Sequence, residues 1–107
     1  MRFSVLIVIL ASLLSGCVTS KLNLHEGITS FQVQDYRQAF IRLKPEAEKG
    51  QVDAEYAIGY MYYYGYGVSR DAEAGTFWIE KAAAAHYPPA EKALVLIHNE
   101  NTRNDKL

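Results

Sequence analysis

Hydrophobic residues follow two different patterns along this chain. Phe3 to Leu14 is apolar apart from Ser4 and Ser12. From Leu22 onward, apolar residues recur at helical spacing. Positions 22, 24, 28 and 31 predict a first helix over Leu22–Phe31, with a turn at Gln32–Gln34. Asp35 is placed as the N-cap of a second helix, whose apolar face is Tyr36, Ala39, Phe40, Leu43 and Ala47. Pro45 interrupts that face. It removes a backbone donor and clashes one turn back, so a kink, or an end and restart near Lys44, is expected. Gly50 closes the element. Val52–Tyr64 is the third helix, with Ala54, Ala57, Ile58, Met61 and Tyr62 as its packed stripe. A glycine inside a helix costs about 1 kcal/mol against alanine, so Gly59 makes sense where a neighbouring helix comes close. Gly65 and Gly67 supply a turn. Asp71 caps a fourth helix running to Ala85, with Phe77, Trp78, Ala82 and Ala85 available for packing. Tyr87-Pro88-Pro89 breaks it, and a fifth helix follows from about Pro89 to His98 on Ala90, Ala93, Leu94 and Ile97. Residues 99–107 are polar and read as a frayed tail.

Shifting the chain on itself by 36 residues brings like onto like. Asp35 falls on Asp71, Leu43 on Ile79, Ala47 on Ala83, Ala54 on Ala90, Ala57 on Ala93, Ile58 on Leu94 and Met61 on Ile97. A period of this length with two helices per unit predicts an all-α fold, a short α/α solenoid of about five helices over residues 22–98.

Ala54, Ile58-Gly59, Tyr62, Gly65-x-Gly67-Val68, Asp71, Trp78, Lys81-Ala82-Ala83 and Ala90 resemble one complete Sel1-like repeat, spanning about residues 54–89. Ile58 stands for the usual leucine, Gly75 for alanine and His86 for glycine. The second helix resembles the end of a preceding unit and the fifth the start of a following one. The resemblance implies a solenoid close to tetratricopeptide repeats, acting as an adaptor or scaffold. It implies repeat-packing roles for Ala54, Ile58, Gly59, Tyr62, Gly65, Gly67, Trp78, Ala82, Ala83 and Ala90. It also places Asp53, Tyr56, Tyr60, Tyr63, Tyr64 and Lys92 on the concave, ligand-binding face. A helical wheel partly agrees: at about 100° per residue, Tyr56, Tyr60 and Tyr63 fall within about 60° of one another. Two placements stay open for these rings, a groove or a core against the first helix. Tyr62, Phe77 and Trp78 are assigned to packing, and Tyr66 to the turn, as an exposed rim contact or a packed lid.

The apolar start behind Met1-Arg2 reads as a secretory signal over residues 1–16, too short for a spanning helix. Leu14-Ser15-Gly16-Cys17 resembles the bacterial lipobox. The resemblance implies cleavage before Cys17, lipidation of its sulfur and a short lipid-anchored tether over residues 17–21. Val18, where an aspartate would retain a lipoprotein in the inner membrane, favours the outer membrane with the body in the periplasm. Such cleavage would leave 91 of the 107 residues, with ten Lys and Arg against twelve Asp and Glu. That balance excludes a basic face for nucleic acid and a polybasic membrane patch.

Catalytic signals are poor. His25-Glu26 does not extend to HExxH, and the three histidines are scattered. Glu46, Glu48, Asp53 and Glu55 read as solvated helix-face charges. The glycine turn lacks the Lys-Ser or Lys-Thr of a phosphate loop. No cofactor, metal or enzymatic activity is expected. Cysteine-rich relatives linked to β-lactam hydrolysis carry cysteine pairs, which this chain lacks, so a hydrolase is the least favoured reading. The expectation is an outer-membrane-anchored periplasmic protein–protein interaction module, with peptidoglycan or glycan binding as the alternative.

Overall fold

A computed structural model describes the backbone of residues 2–107 and the side chains of residues 2–9 and 20–107. Its five helices are α1 (Arg2–Gln32), α2 (Tyr36–Glu48), α3 (Val52–Tyr64), α4 (Ala72–Ala84) and α5 (Pro88–Asn104). The described residues contain no strand. Each helix packs mainly on its neighbour in the chain. This is the all-α solenoid expected from the 36-residue offset.

The expected first helix over Leu22–Phe31 is the C-terminal part of α1. Gly27 seats this part on α2, where an added Cβ would lie 2.5 Å from Leu43 Cδ2. The backbone of residues 17–21 is helical too. Met1 and the side chains of residues 10–19, the Cys17 thiol among them, lie outside the described residues. Among the described residues, no helix is long and apolar enough to cross a membrane.

Asp35 caps α2, its Oδ1 accepting from the Gln38 N–H at 3.4 Å. The helix neither ends nor restarts at Lys44: it runs through Pro45 to Glu48. Pro45 lies in the last turns, and burial of Leu43, Glu46 and Ala47 on either side holds the helix together across it. A Lys44–Glu48 ion pair of 2.8 Å spans the same turn. Asp71 caps α4 in the same manner, accepting from the Ala74 N–H at 3.0 Å. Between α3 and α4, Gly65 takes the left-handed conformation (φ 73°) that ends α3, and the Tyr66 N–H donates to Met61 O.

Two glycines set the α3–α4 distance. A Cβ on Gly59 would lie 2.7 Å from Ile79 Cγ1, and one on Gly75 would lie 2.6 Å from Tyr63 N and 2.8 Å from Gly59 O. The helices touch backbone to backbone here. Between α2 and α3, Ala39, Leu43, Ala47, Ala54, Ala57, Ile58 and Met61 form one buried cluster. Ile79, Ala82, Ala90 and Ile97 form a second.

Three expectations are corrected. Phe77 is 58% exposed rather than packed, because α4 turns its buried side through Gly75, Ile79 and Ala82. Helix α5 continues past His98 to Asn104, since no glycine or proline stops it. Glu46 and Glu55 are not solvated: they are 0% and 3% exposed. The Glu46 carboxylate accepts from Ser20 Oγ at 2.6 Å and pairs with Lys49 Nζ at 3.1 Å.

Gly75→Ala tests the crossing. Helix propensity alone would favour alanine by about 1 kcal/mol. The obstructing atoms are backbone, so net destabilisation of about 1–3 kcal/mol is expected instead. Urea unfolding of the variant against the parent measures the sign.

Candidate functional site

Helix α3 has more aromatic rings than one core can absorb. Ala54, Ala57, Ile58 and Met61 fill its buried side, with Gly59 set into the crossing. The rings left over, Tyr56, Tyr60, Tyr63 and Tyr64, line one groove of about 430 Å³. Ile79 of α4 also lines it. On the opposite wall stand Pro88, Pro89, Lys92, Ala93, Leu96, Ile97 and Glu100 of α5. Five of the six residues assigned to the concave face therefore meet there. Asp53 does not. It sits in the first turn of α3, where its Oδ1 accepts from the Ala54 N–H at 3.0 Å, so the free backbone donors of the helix start claim it.

The rings support one another. Tyr60 stands edge-on to Phe31 of α1 (centroids 5.6 Å apart) and lies 4.7 Å from Tyr64 and 6.2 Å from Tyr56. It thus contacts the first helix and lines the groove at once. Tyr56 leans on Tyr87 at 5.7 Å. Tyr66 stacks on Tyr36 at 4.8 Å and on Tyr64 at 5.7 Å, joining the repeat turn to the start of α2. The Tyr63 hydroxyl donates to Glu100 Oε2 at 2.9 Å across the groove. Tyr64 is the most open of the four, at 49%.

Burial raises the pKa of Tyr56, Tyr60 and Tyr63, and the bond to Glu100 adds to the effect at Tyr63. These phenols stay neutral at physiological pH. They offer apolar faces and hydroxyls, and leave the groove's charge to Lys92 and Glu100. Tyr66, read from the sequence as a rim contact or a packed lid of the turn, is packed on Tyr36 and Tyr64. Glu100 and Tyr87 were not assigned to the site from the sequence. Glu100 had a readable signal: Lys92, Leu96 and Glu100 are spaced by four, on one side of a helix continued beyond His98.

The residues assigned to repeat packing lie behind the groove. Ala54, Ile58, Ala82 and Ala90 are buried, and Ala83 is half-buried. Tyr62 stands edge-on to Phe40 at 5.5 Å. Trp78 is half-buried, with the ammonium groups of Lys44 and Lys81 5.8 and 5.1 Å from its ring centre. Gly65 ends α3, and Gly67 abuts the Tyr36 backbone, where a Cβ would come within 2.6 Å. Among the described residues, no three His, Cys, Asp or Glu side chains are grouped to hold a metal ion.

Residues 52–87 match the family model of the Sel1 repeat. Over this third of the chain the sequence is similar to a Sel1 repeat. The match takes in α3, the glycine turn, α4 and the chain up to Tyr87, close to the 54–89 read from the motif. No curated protein and no solved structure matches the chain. Sel1 repeats generally mediate protein–protein interactions. Here the groove lies between the first helix of the repeat and α5, which the 36-residue offset makes its counterpart in the next unit.

Outside the groove, Glu55 is a buried carboxylate whose Oε2 has no hydrogen-bond partner. Burial raises its pKa, and the charge of Lys81 offsets this only in part. The folded chain therefore holds this proton more tightly than the unfolded chain. Stability falls as pH rises from the ordinary carboxylate pKa through the folded value, and the ionised group is a cost at neutral pH. Glu55→Gln is expected to raise Tm at pH 7, with a smaller gain at pH 4, where the parent is largely protonated. Thermal unfolding at the two pH values measures the difference.

Proposed function

We propose that this chain is a lipid-anchored interaction module of the bacterial cell envelope, which holds a segment of a partner protein in the tyrosine groove between α3 and α5. The observation that carries the reading is the groove itself. Four rings from one face of α3 stand opposite Lys92 and Leu96 of α5. Tyrosine suits such a surface because it is rigid, largely apolar and tipped with a hydroxyl, so little entropy is lost when it is covered. The chemistry available is binding. Lys92 and Glu100 are eight residues apart on α5, about 12 Å along its axis, with neutral phenols between them.

The anchor rests on Leu14-Ser15-Gly16-Cys17, and Val18 points it to the outer membrane, facing the periplasm. The Ser20–Glu46 hydrogen bond lies three residues beyond Cys17, about 5 Å of helix. A lipid on Cys17 would therefore hold the repeat against the bilayer with little slack. That geometry suits an adaptor or scaffold accessory to an envelope or secretion assembly.

Two experiments test the two halves. Cys17→Ser should move the protein from the membrane to the soluble periplasmic fraction; retention in the membrane contradicts the anchor. A photoreactive amino acid in place of Tyr64 should crosslink to protein in cells, whereas one in place of Val33, exposed in the α1–α2 turn, should not. Equal crosslinking from both sites contradicts the groove. Crosslinks to glycan alone would make this a peptidoglycan-binding protein instead.

A further inference from the structure

Both walls of the groove are helices, and this restricts what can lie between them. Their backbone N–H and C=O groups are already paired within α3 and α5. At the start of α5, Pro88 and Pro89 have no N–H to offer. An extended peptide buried here would lose water from its own backbone and find almost no backbone partners, and burying unpaired peptide groups is costly. A helix arrives with its backbone bonds made and presents only side chains.

The lining suits such a helix. Ile79, Ala93, Leu96 and Ile97 are apolar, and the facing rings are neutral. Lys92 and Glu100 mark out about two helical turns, enough for apolar residues at i, i+3 or i+4, and i+7. The charges also have a direction. Lys92 stands near the N-terminal end of α5, and Glu100 lies two turns on toward its C-terminal end. A helix carries partial negative charge at its C-terminus and partial positive charge at its N-terminus. The backbone dipole of α5 runs in the same sense as its Lys92–Glu100 pair, so both favour a neighbour running the opposite way.

We propose that the occupant is a short amphipathic helix of a partner protein, docked antiparallel to α5, with an acidic C-terminal end at Lys92 and a basic or uncharged N-terminal end at Glu100. This rests on the groove being the binding site, and the test separates the two claims.

A displayed library of random peptides, each about 16 residues and long enough for a helix, is selected on the purified full-length chain. Enriched sequences should carry apolar residues at helical spacing and Asp or Glu in the last turn. Synthetic versions with the charged ends exchanged should bind about 2- to 5-fold more weakly, the range set by one exposed charge at a helix end. Lys92→Glu should reverse that preference, and circular dichroism should show the fold unchanged. Enrichment of proline-rich or strand-forming peptides that lose binding in Tyr64→Ala overturns the helical occupant and leaves the groove in place. Indifference to the exchange of ends, or to Lys92→Glu, overturns the orientation. No enrichment above that on Tyr64→Ala overturns the groove as a peptide site as well.

Discussion

The backbone contact between α3 and α4 at Gly59 and Gly75 is the constraint on which the rest of the molecule depends. It brings Tyr63 N and the Gly59 carbonyl to where a Gly75 Cβ would stand. Alanine is the usual residue at position 75 in the repeats this chain resembles, so this crossing is tighter than the repeat pattern alone implies. With α4 so close, one side of α3 is used up by Ile79 and the small residues around it. A second side faces α2 through Ala54, Ala57, Ile58 and Met61. The large rings have only the remaining arc, and they gather there.

That gathering makes a prearranged surface. Tyr60 is braced by Phe31, Tyr56 by Tyr87, and Tyr64 by Tyr60 and Tyr66. Tyr63 is held by Glu100 on the opposite wall. Rings already fixed by neighbours lose little freedom when a ligand covers them, which favours affinity without a large contact area. The same bracing ties the site to the fold: α1 and the turn after α3 both support groove residues. A substitution at Tyr60 therefore touches stability and binding together, while Tyr64 reports on binding more cleanly.

Much of this was legible in the sequence because it rests on periodic spacing and local chemistry. The caps Asp35 and Asp71, the α3 boundaries and the glycine turn follow from single residues with one strong preference. Elements whose outcome depends on packing were less legible. Pro45 is a helix breaker on its own, yet α2 runs through it because buried neighbours hold both sides. Phe77 looks like core by composition, but the phase of α4 turns it outward. Glu46 and Glu55 look like surface charges, and nothing local reveals that adjoining helices cover them. Asp53 was placed in the groove by its register, whereas the free N–H groups of the helix start decided its position. Tyr60 could not be assigned to core or groove from the wheel alone, because it belongs to both.

The central claim is that the outward rings of α3 form the contact surface, distinct from the rings that hold the repeat together. Tyrosine-ring NMR of the labelled chain, titrated with a peptide that binds it, tests this most directly. The account predicts that the signals of Tyr56, Tyr60 and Tyr64 move with the titration, while that of Tyr62, packed on Phe40 behind the groove, stays in place. Movement of Tyr62 with the other three unchanged would contradict it.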